Sequence, residues 1–182
     1  MLLYSHDSQG LGHVRRNLAL AHHIAAGVGA GGLRGLVVSG LAPSPLFTLP
    51  NGFDWLVLPG VEKRDGVYVP RRLPGTLSET VALRSLILGA ALAGFAPDLV
   101  VVDDYQDCTA ATARLLTALA APDPDGHRAQ IAVLGDPDVA VETFRGGTPS
   151  LLIAAEDNSG LGATRLRLST CYRGDPVIAM AV

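Results

Sequence analysis

The sequence predicts an α/β fold: a mostly parallel, Rossmann-like sheet with helices on both faces. Three observations predict it. The run Pro97-Asp98-Leu99-Val100-Val101-Val102-Asp103 is continuously apolar, opened by Pro-Asp and closed by acids. A strand buried on both faces reads this way. Similar short runs alternate with longer segments whose apolar residues recur at helical spacing, the βα pattern of a parallel sheet. Polar, glycine-bearing turns follow the strands, at the end of the sheet where open α/β folds bind ligands.

The chain has 182 residues, of which 48% are hydrophobic, enough for one α/β layer structure with a sizeable core. A net charge of −3 gives no strong pull toward nucleic acid, which is not expected as a partner. Lys63 is the only lysine, so arginine carries the positive charge. Cys108 and Cys171 show neither a CxxC nor another metal spacing, as in a reduced, cytoplasmic protein. The N-terminus has no basic region leading into a long apolar one, so no signal peptide is expected. The longest apolar stretch, Leu86 to Ala96, is too short to span a bilayer.

In chain order, strands are expected near 2–5, 35–39, 54–58, 98–103, 130–134 and 165–169. The last rests on the period-2 alternation Arg165-Leu166-Arg167-Leu168. Between the first two strands, Val14, Leu18, Leu20, Ala21, Ile24 and Ala25 give a helix from His13 to about Ala26. Asp65-Gly66 before Val67-Tyr68-Val69 signals a small hairpin. Helices follow over Leu77 to Phe95 and Thr109 to Ala121, the latter with Leu115, Leu116 and Leu119 as its apolar set. Ser150 to Glu156 reads as helix or strand, and Asp175 to Val182 as the start of an apolar helix.

The turn His6-Asp7-Ser8-Gln9-Gly10-Leu11-Gly12-His13 places backbone N–H groups at a helix N-terminus, where an anion is favoured. A tight βα turn that needs glycine only for sterics explains Gly10 and Gly12 equally. Ser5-His6-Asp7 holds triad residue types, but sequence neighbours cannot form the relay. His22-His23 does not make a metal-binding face, because useful helical spacing is i, i+3 or i+4. No carboxylate or cysteine spacing near His6 and His13 suggests a metal. Arg64, Arg71 and Arg72 read as solvated loop residues or contacts for an anionic acceptor.

Tyr4-Ser5-His6-Asp7-Ser8-Gln9-Gly10-Leu11-Gly12-His13-Val14-Arg15-Arg16-Asn17-Leu18 resembles the opening of bacterial glycosyltransferases of the GT-B fold, relatives of the MurG-like family. The resemblance runs on through Leu36-Val37-Val38-Ser39-Gly40, Phe53-Asp54-Trp55-Leu56-Val57-Leu58-Pro59 and Tyr68-Val69-Pro70-Arg71-Arg72 to the strand ending at Asp103. It implies an acceptor-side half over 1–103. In it Gly10, Gly12, His13, Arg15 and Arg16 line a phosphate or acceptor site, and His13 is the catalytic base or a phosphate ligand. A plain helix-capping role for His13 is the alternative. Histidine titrates in the range that general-base work requires. A nucleotide-sugar or a phosphate-bearing acceptor is the partner implied, and no cofactor is expected.

From the same strand onward the resemblance changes. Asp103-Asp104-Tyr105-Gln106-Asp107 resembles motif II of UvrD-type DNA helicases. Gly135-Asp136-Pro137-Asp138 with Phe144-Arg145-Gly146 resembles motif III, and Leu168-Ser169-Thr170-Cys171-Tyr172-Arg173 the next motif. The helicase resemblance implies a nucleotide site of Asp103, Asp104, Gln106, Asp136 and Arg173, with Mg²⁺ on Asp103 and a phosphate on Arg173. Val139 stands where that family has glutamine, and no G-x-x-x-x-G-K-[ST] loop occurs. Asp103 and Asp104 are therefore expected as polar strand-end residues facing solvent. The organisation expected is a chimera of two halves, 1–103 and 98–182, sharing strand 98–103 in one continuous layer. Three functions compete: a glycosyltransferase-like acceptor half without its donor domain, a helicase or ATPase fragment, and an inactive structural chimera.

Overall fold

The computed structural model describes residues 1–5, 12–28, 32–41, 46–108, 110–136, 150–157 and 161–167. Its centre is a five-stranded sheet in the order β3-β2-β1-β6-β7, with every neighbouring pair parallel. The strands are β1 (Leu2–Ser5), β2 (Gly35–Ser39), β3 (Phe53–Val57), β6 (Leu99–Asp103) and β7 (Gln130–Val133). Strand β6 pairs with β1 on one side and β7 on the other. The α/β fold expected from the sequence is the fold observed.

Both faces of the sheet are covered, which is why its central strands carry unbroken apolar runs. Successive side chains point to opposite faces. Leu3, Val37 and Val101 pack on one face against Ala21, Leu20 and Ile24 of α1 (Gly12–Val28). Leu2, Val38, Val100 and Val102 pack on the other, against Leu92 of α2 (Leu77–Phe95) and Leu116 of α3 (Ala110–Ala120). Burying each such Val or Leu contributes about 1.5–3 kcal/mol. The short α4 (Ser150–Ala154) adds Leu151 and Leu152 to that second face. It resolves the helix-or-strand choice at 150–156 in favour of helix.

The expected hairpin forms from β4 (Val61–Arg64) and β5 (Val67–Pro70). Asp65 and Gly66 both have positive φ, 51° and 82°, as a two-residue type I′ turn requires. Arg71 ties the hairpin to the sheet, donating to the carbonyls of Gly40 at 3.1 Å and Val61 at 3.0 Å. Arg64 pairs with Glu62 on the exposed hairpin.

Helix α2 begins at a capping box. The Glu79 N–H donates to Thr76 Oγ1, and the Thr76 N–H donates to the Glu79 carboxylate. It ends at Ala96, left-handed at φ 43°, ahead of Pro97. With 19 residues and a mean hydropathy of 1.3, α2 is the one helix among those described that is long and apolar enough to cross a membrane. The run from Leu86, expected to be too short, is thus part of a longer apolar helix. Its Ile87, Leu88 and Leu92 pack on the sheet, while Leu77, Val81, Leu83 and Leu86 are exposed.

The strand expected at 165–169 does not form over its described part. Residues 162–167 are irregular and Leu166 is 89% exposed. An Arg-Leu-Arg-Leu alternation offers one narrow apolar face, and without a neighbouring strand edge it buries nothing. The C-terminal helix expected from Asp175 lies outside the described residues.

Candidate functional site

The site forms where the sheet reverses its winding. Strands β1 and β6 are adjacent, with Ser5 in register with Asp103. The chain leaving β1 enters α1 on one face, and the chain leaving β6 enters α3 on the other. Diverging connections at neighbouring carboxyl ends mark the usual ligand position in this architecture.

Two side chains from α1 meet two from the end of β6 there. His13 Nδ1 lies 3.3 Å from Asp103 Oδ2 and 2.8 Å from Asp104 Oδ2. Arg16 donates to Asp103 Oδ1, and its guanidinium lies 3.4 Å from Asp104 Oδ1. The imidazole therefore takes the Oδ2 pair and the guanidinium the Oδ1 pair. Consecutive strand residues would point to opposite faces. Asp104 instead adopts φ 51° and ψ 49°, turning the chain so that both carboxylates face one point. A non-glycine residue holds that conformation at about 1–2 kcal/mol, and aspartate is among the types most often found there.

The Asp103 side chain is fully buried, whereas 27% of His13 and 37% of Arg16 remain exposed. This corrects the expectation that Asp103 and Asp104 face solvent: the first turns of α1 cover the end of β6, because β1 and β6 are neighbours. Burial alone would lower the Arg16 pKa, but the hydrogen bond and charge of Asp103, together with those of Asp104, raise it above its ordinary value. Ionised carboxylates only accept hydrogen bonds. In the neutral ring Nδ1 therefore carries the proton, and Nε2 presents its lone pair.

The other expected site residues divide. Arg15 and Gly12 are exposed, and a Cβ on Gly12 would meet nothing within 4 Å. Gly10 and Arg173 lie outside the described residues, as do Val139 and the Phe144-Arg145-Gly146 segment. Gln106 and Asp136 come together: the Asp136 N–H donates to the buried Gln106 Oε1 at 3.2 Å. The backbone of Gly135 passes so close that a Cβ there would sit 2.3 Å from that oxygen.

Asn17 also belongs to this region of α1. Its side chain is fully buried, and neither its Oδ1 nor its Nδ2 has a hydrogen-bond partner among the described residues. The available signal was its spacing: a polar residue four after His13 and four before Ala21, on the stripe that faces the sheet.

Residues 96–159 match the UvrD/REP helicase N-terminal domain. The matched stretch spans β6, α3, β7 and α4, and leaves out β1 and α1. Asp103 and Asp104 thus belong to the helicase-like part, while His13 and Arg16 lie outside it. No curated protein and no solved structure matches the chain.

Such a helicase likeness implies Mg²⁺ on Asp103. Mg²⁺ usually keeps several waters and completes its shell with substrate phosphates. Here an imidazole and a guanidinium, not waters and phosphates, stand at the Asp103 oxygens. The chain's single lysine, Lys63, is exposed on β4. These residues do not fit a nucleotide-bound Mg²⁺.

Proposed function

We propose that the chain is the acceptor-side half of a glycosyl-transfer site, with His13 as general base and Asp103 and Asp104 as its positioning residues. One observation carries this reading: Nδ1 is held between two carboxylates, so Nε2 is left as the basic atom of the ring. A carboxylate on one ring nitrogen fixes the tautomer and stabilises the imidazolium that forms when the other takes a proton. The base removes a proton from an acceptor hydroxyl as that oxygen attacks the anomeric carbon of the donor sugar, and the bond from that carbon to the nucleotide diphosphate breaks, releasing the nucleotide. The reaction also needs a nucleotide-sugar donor placed opposite the acceptor.

A second reading, a helicase-type ATPase fragment, is favoured by the family match over 96–159. The engagement of Asp103 by Arg16 and His13 weighs against it. Thermal melts of the full chain with UDP-sugars, a lipid-phosphate analogue and Mg·ATP separate the two. A ligand bound only by the folded state at 100 times its Kd adds about 2.7 kcal/mol. A rise with the sugar or phosphate ligand that disappears in His13→Ala supports the acceptor half. A rise with Mg·ATP that disappears in Asp103→Ala supports the helicase reading instead.

A further inference from the structure

We infer that His13 Nδ1, Asp103 Oδ2 and Asp104 Oδ2 form a binding site for a divalent first-row transition-metal ion, with Arg16 as its outer-shell support. The three residues each offer a ligand atom within 4.8 Å of the others, and His13 Nδ1 itself lies 2.8 Å from Asp104 Oδ2 and 3.3 Å from Asp103 Oδ2. Nitrogen and oxygen donors bound at about 2.0–2.2 Å around a tetrahedral ion stand roughly 3.3 Å apart. Both Nδ1 separations are close to that spacing, so small side-chain shifts would admit an ion where the Nδ1 proton now sits. Arg16 need not move, because it uses the two Oδ1 atoms. Hydrogen bonds to the outer oxygens of ligating carboxylates are the ordinary support of such sites. An imidazole beside two carboxylates suits a transition ion; Mg²⁺ prefers an all-oxygen shell.

A second, independent observation points to a ligand here. Asn17 is fully buried and unpartnered among the described residues. It sits one turn after His13 on the same face of α1, ahead of the packed Ala21. Helical Cα–Cβ bonds tilt toward the N-terminus, so its amide leans toward the His13 turn. A buried amide with no partner is costly. An ion at the carboxylates, with a water in its shell, gives Asn17 that partner.

The inference does not depend on what Nε2 serves. An ion on Nδ1 takes that lone pair and moves the ring proton to Nε2, so metal binding and the base role exclude each other. The site would then be silenced by the ion.

The test is a titration of the full chain with Co²⁺ alone, followed by visible absorption and by histidine ring NMR. One Co²⁺ per chain is expected, with paramagnetic broadening of His13 and sparing of His22, His23 and His127. His13→Ala and Asp104→Asn each weaken binding by at least about tenfold. Asn17→Leu, which removes the buried amide, also weakens it. Mg²⁺ at the same concentration leaves the His13 signals in place. Broadening at other histidines without His13, or affinity unchanged in both ligand variants, overturns the inference. The wild-type NMR result decides even if a variant fails to fold. No sugar or nucleotide is present, so failure here is distinct from failure of the acceptor reading.

Discussion

Arg16→Met removes the guanidinium and keeps a side chain of similar length. The structure sets the size of the loss. Asp103 is fully buried, and Arg16 is its hydrogen-bonded cation. Deleting one partner of a fully buried ion pair costs about 3–5 kcal/mol, because the other charge is left uncompensated. Arg16 is itself 37% exposed, so solvent screens part of the pair, and His13 stays beside Asp103. Both effects bring the expected cost down to about 2 kcal/mol. For a domain of this size that lowers the midpoint by about 4–8 °C. Calorimetry of wild type, Arg16→Met, Asp103→Asn and the double variant measures it. Neutralising Asp103 removes the charge that Arg16 compensates, so the double variant should be more stable than the sum of the singles by at least about 1 kcal/mol. A cost under about 0.5 kcal/mol for Arg16→Met, or additive singles, would refute the reasoning by showing that the pair behaves like one on the surface.

Three further outcomes follow from the same geometry. Asn17→Leu replaces an unsatisfied buried amide with an apolar group of similar size and should stabilise the chain by about 1–3 kcal/mol in denaturant unfolding; no gain would mean that the amide is satisfied in solution. Ala96→Gly relieves a left-handed alanine at the end of α2, worth about 1–2 kcal/mol, against about 0.4–1 kcal/mol of added unfolded-state freedom, so a net gain of about 0.5–1 kcal/mol is expected. At the start of α2, the backbone and side chain of Thr76 hold the Glu79 carboxyl below its ordinary value of 4.5. A carboxyl with a lowered folded pKa contributes stability above the unfolded value and loses it as pH falls through the folded one. Melts of wild type and Glu79→Gln should therefore converge on acidification below about pH 4.5 and differ above it.

The sheet was legible because its strands are buried on both faces. Apolar runs such as Leu99–Val102 are hard to place elsewhere, and the strand ends were right to within a residue or so. Asp65-Gly66 announced its hairpin through the backbone freedom that such a turn demands. Arg165–Leu168 misled because alternation shows a possible face without showing a neighbour to bury it. Within the site, His13 and the acids could be named one at a time from the two resemblances. Their meeting could not, because it depends on β1 lying beside β6 and on the left-handed turn at Asp104. A sequence shows neither pairing nor φ, so Asp103 looked solvent-facing. Asn17 looked like one more polar residue on a helix; only its burial sets it apart.

The most direct test of the central claim is a ¹⁵N measurement of the His13 ring, made at a pH where the ring is neutral. The account predicts a single tautomer with the proton on Nδ1, held by Asp103 and Asp104, and an unprotonated Nε2. In Asp103→Asn and Asp104→Asn the preference should weaken. A proton on Nε2, or two tautomers in free exchange in the wild type, would contradict the site as described and remove the basis for His13 as a base.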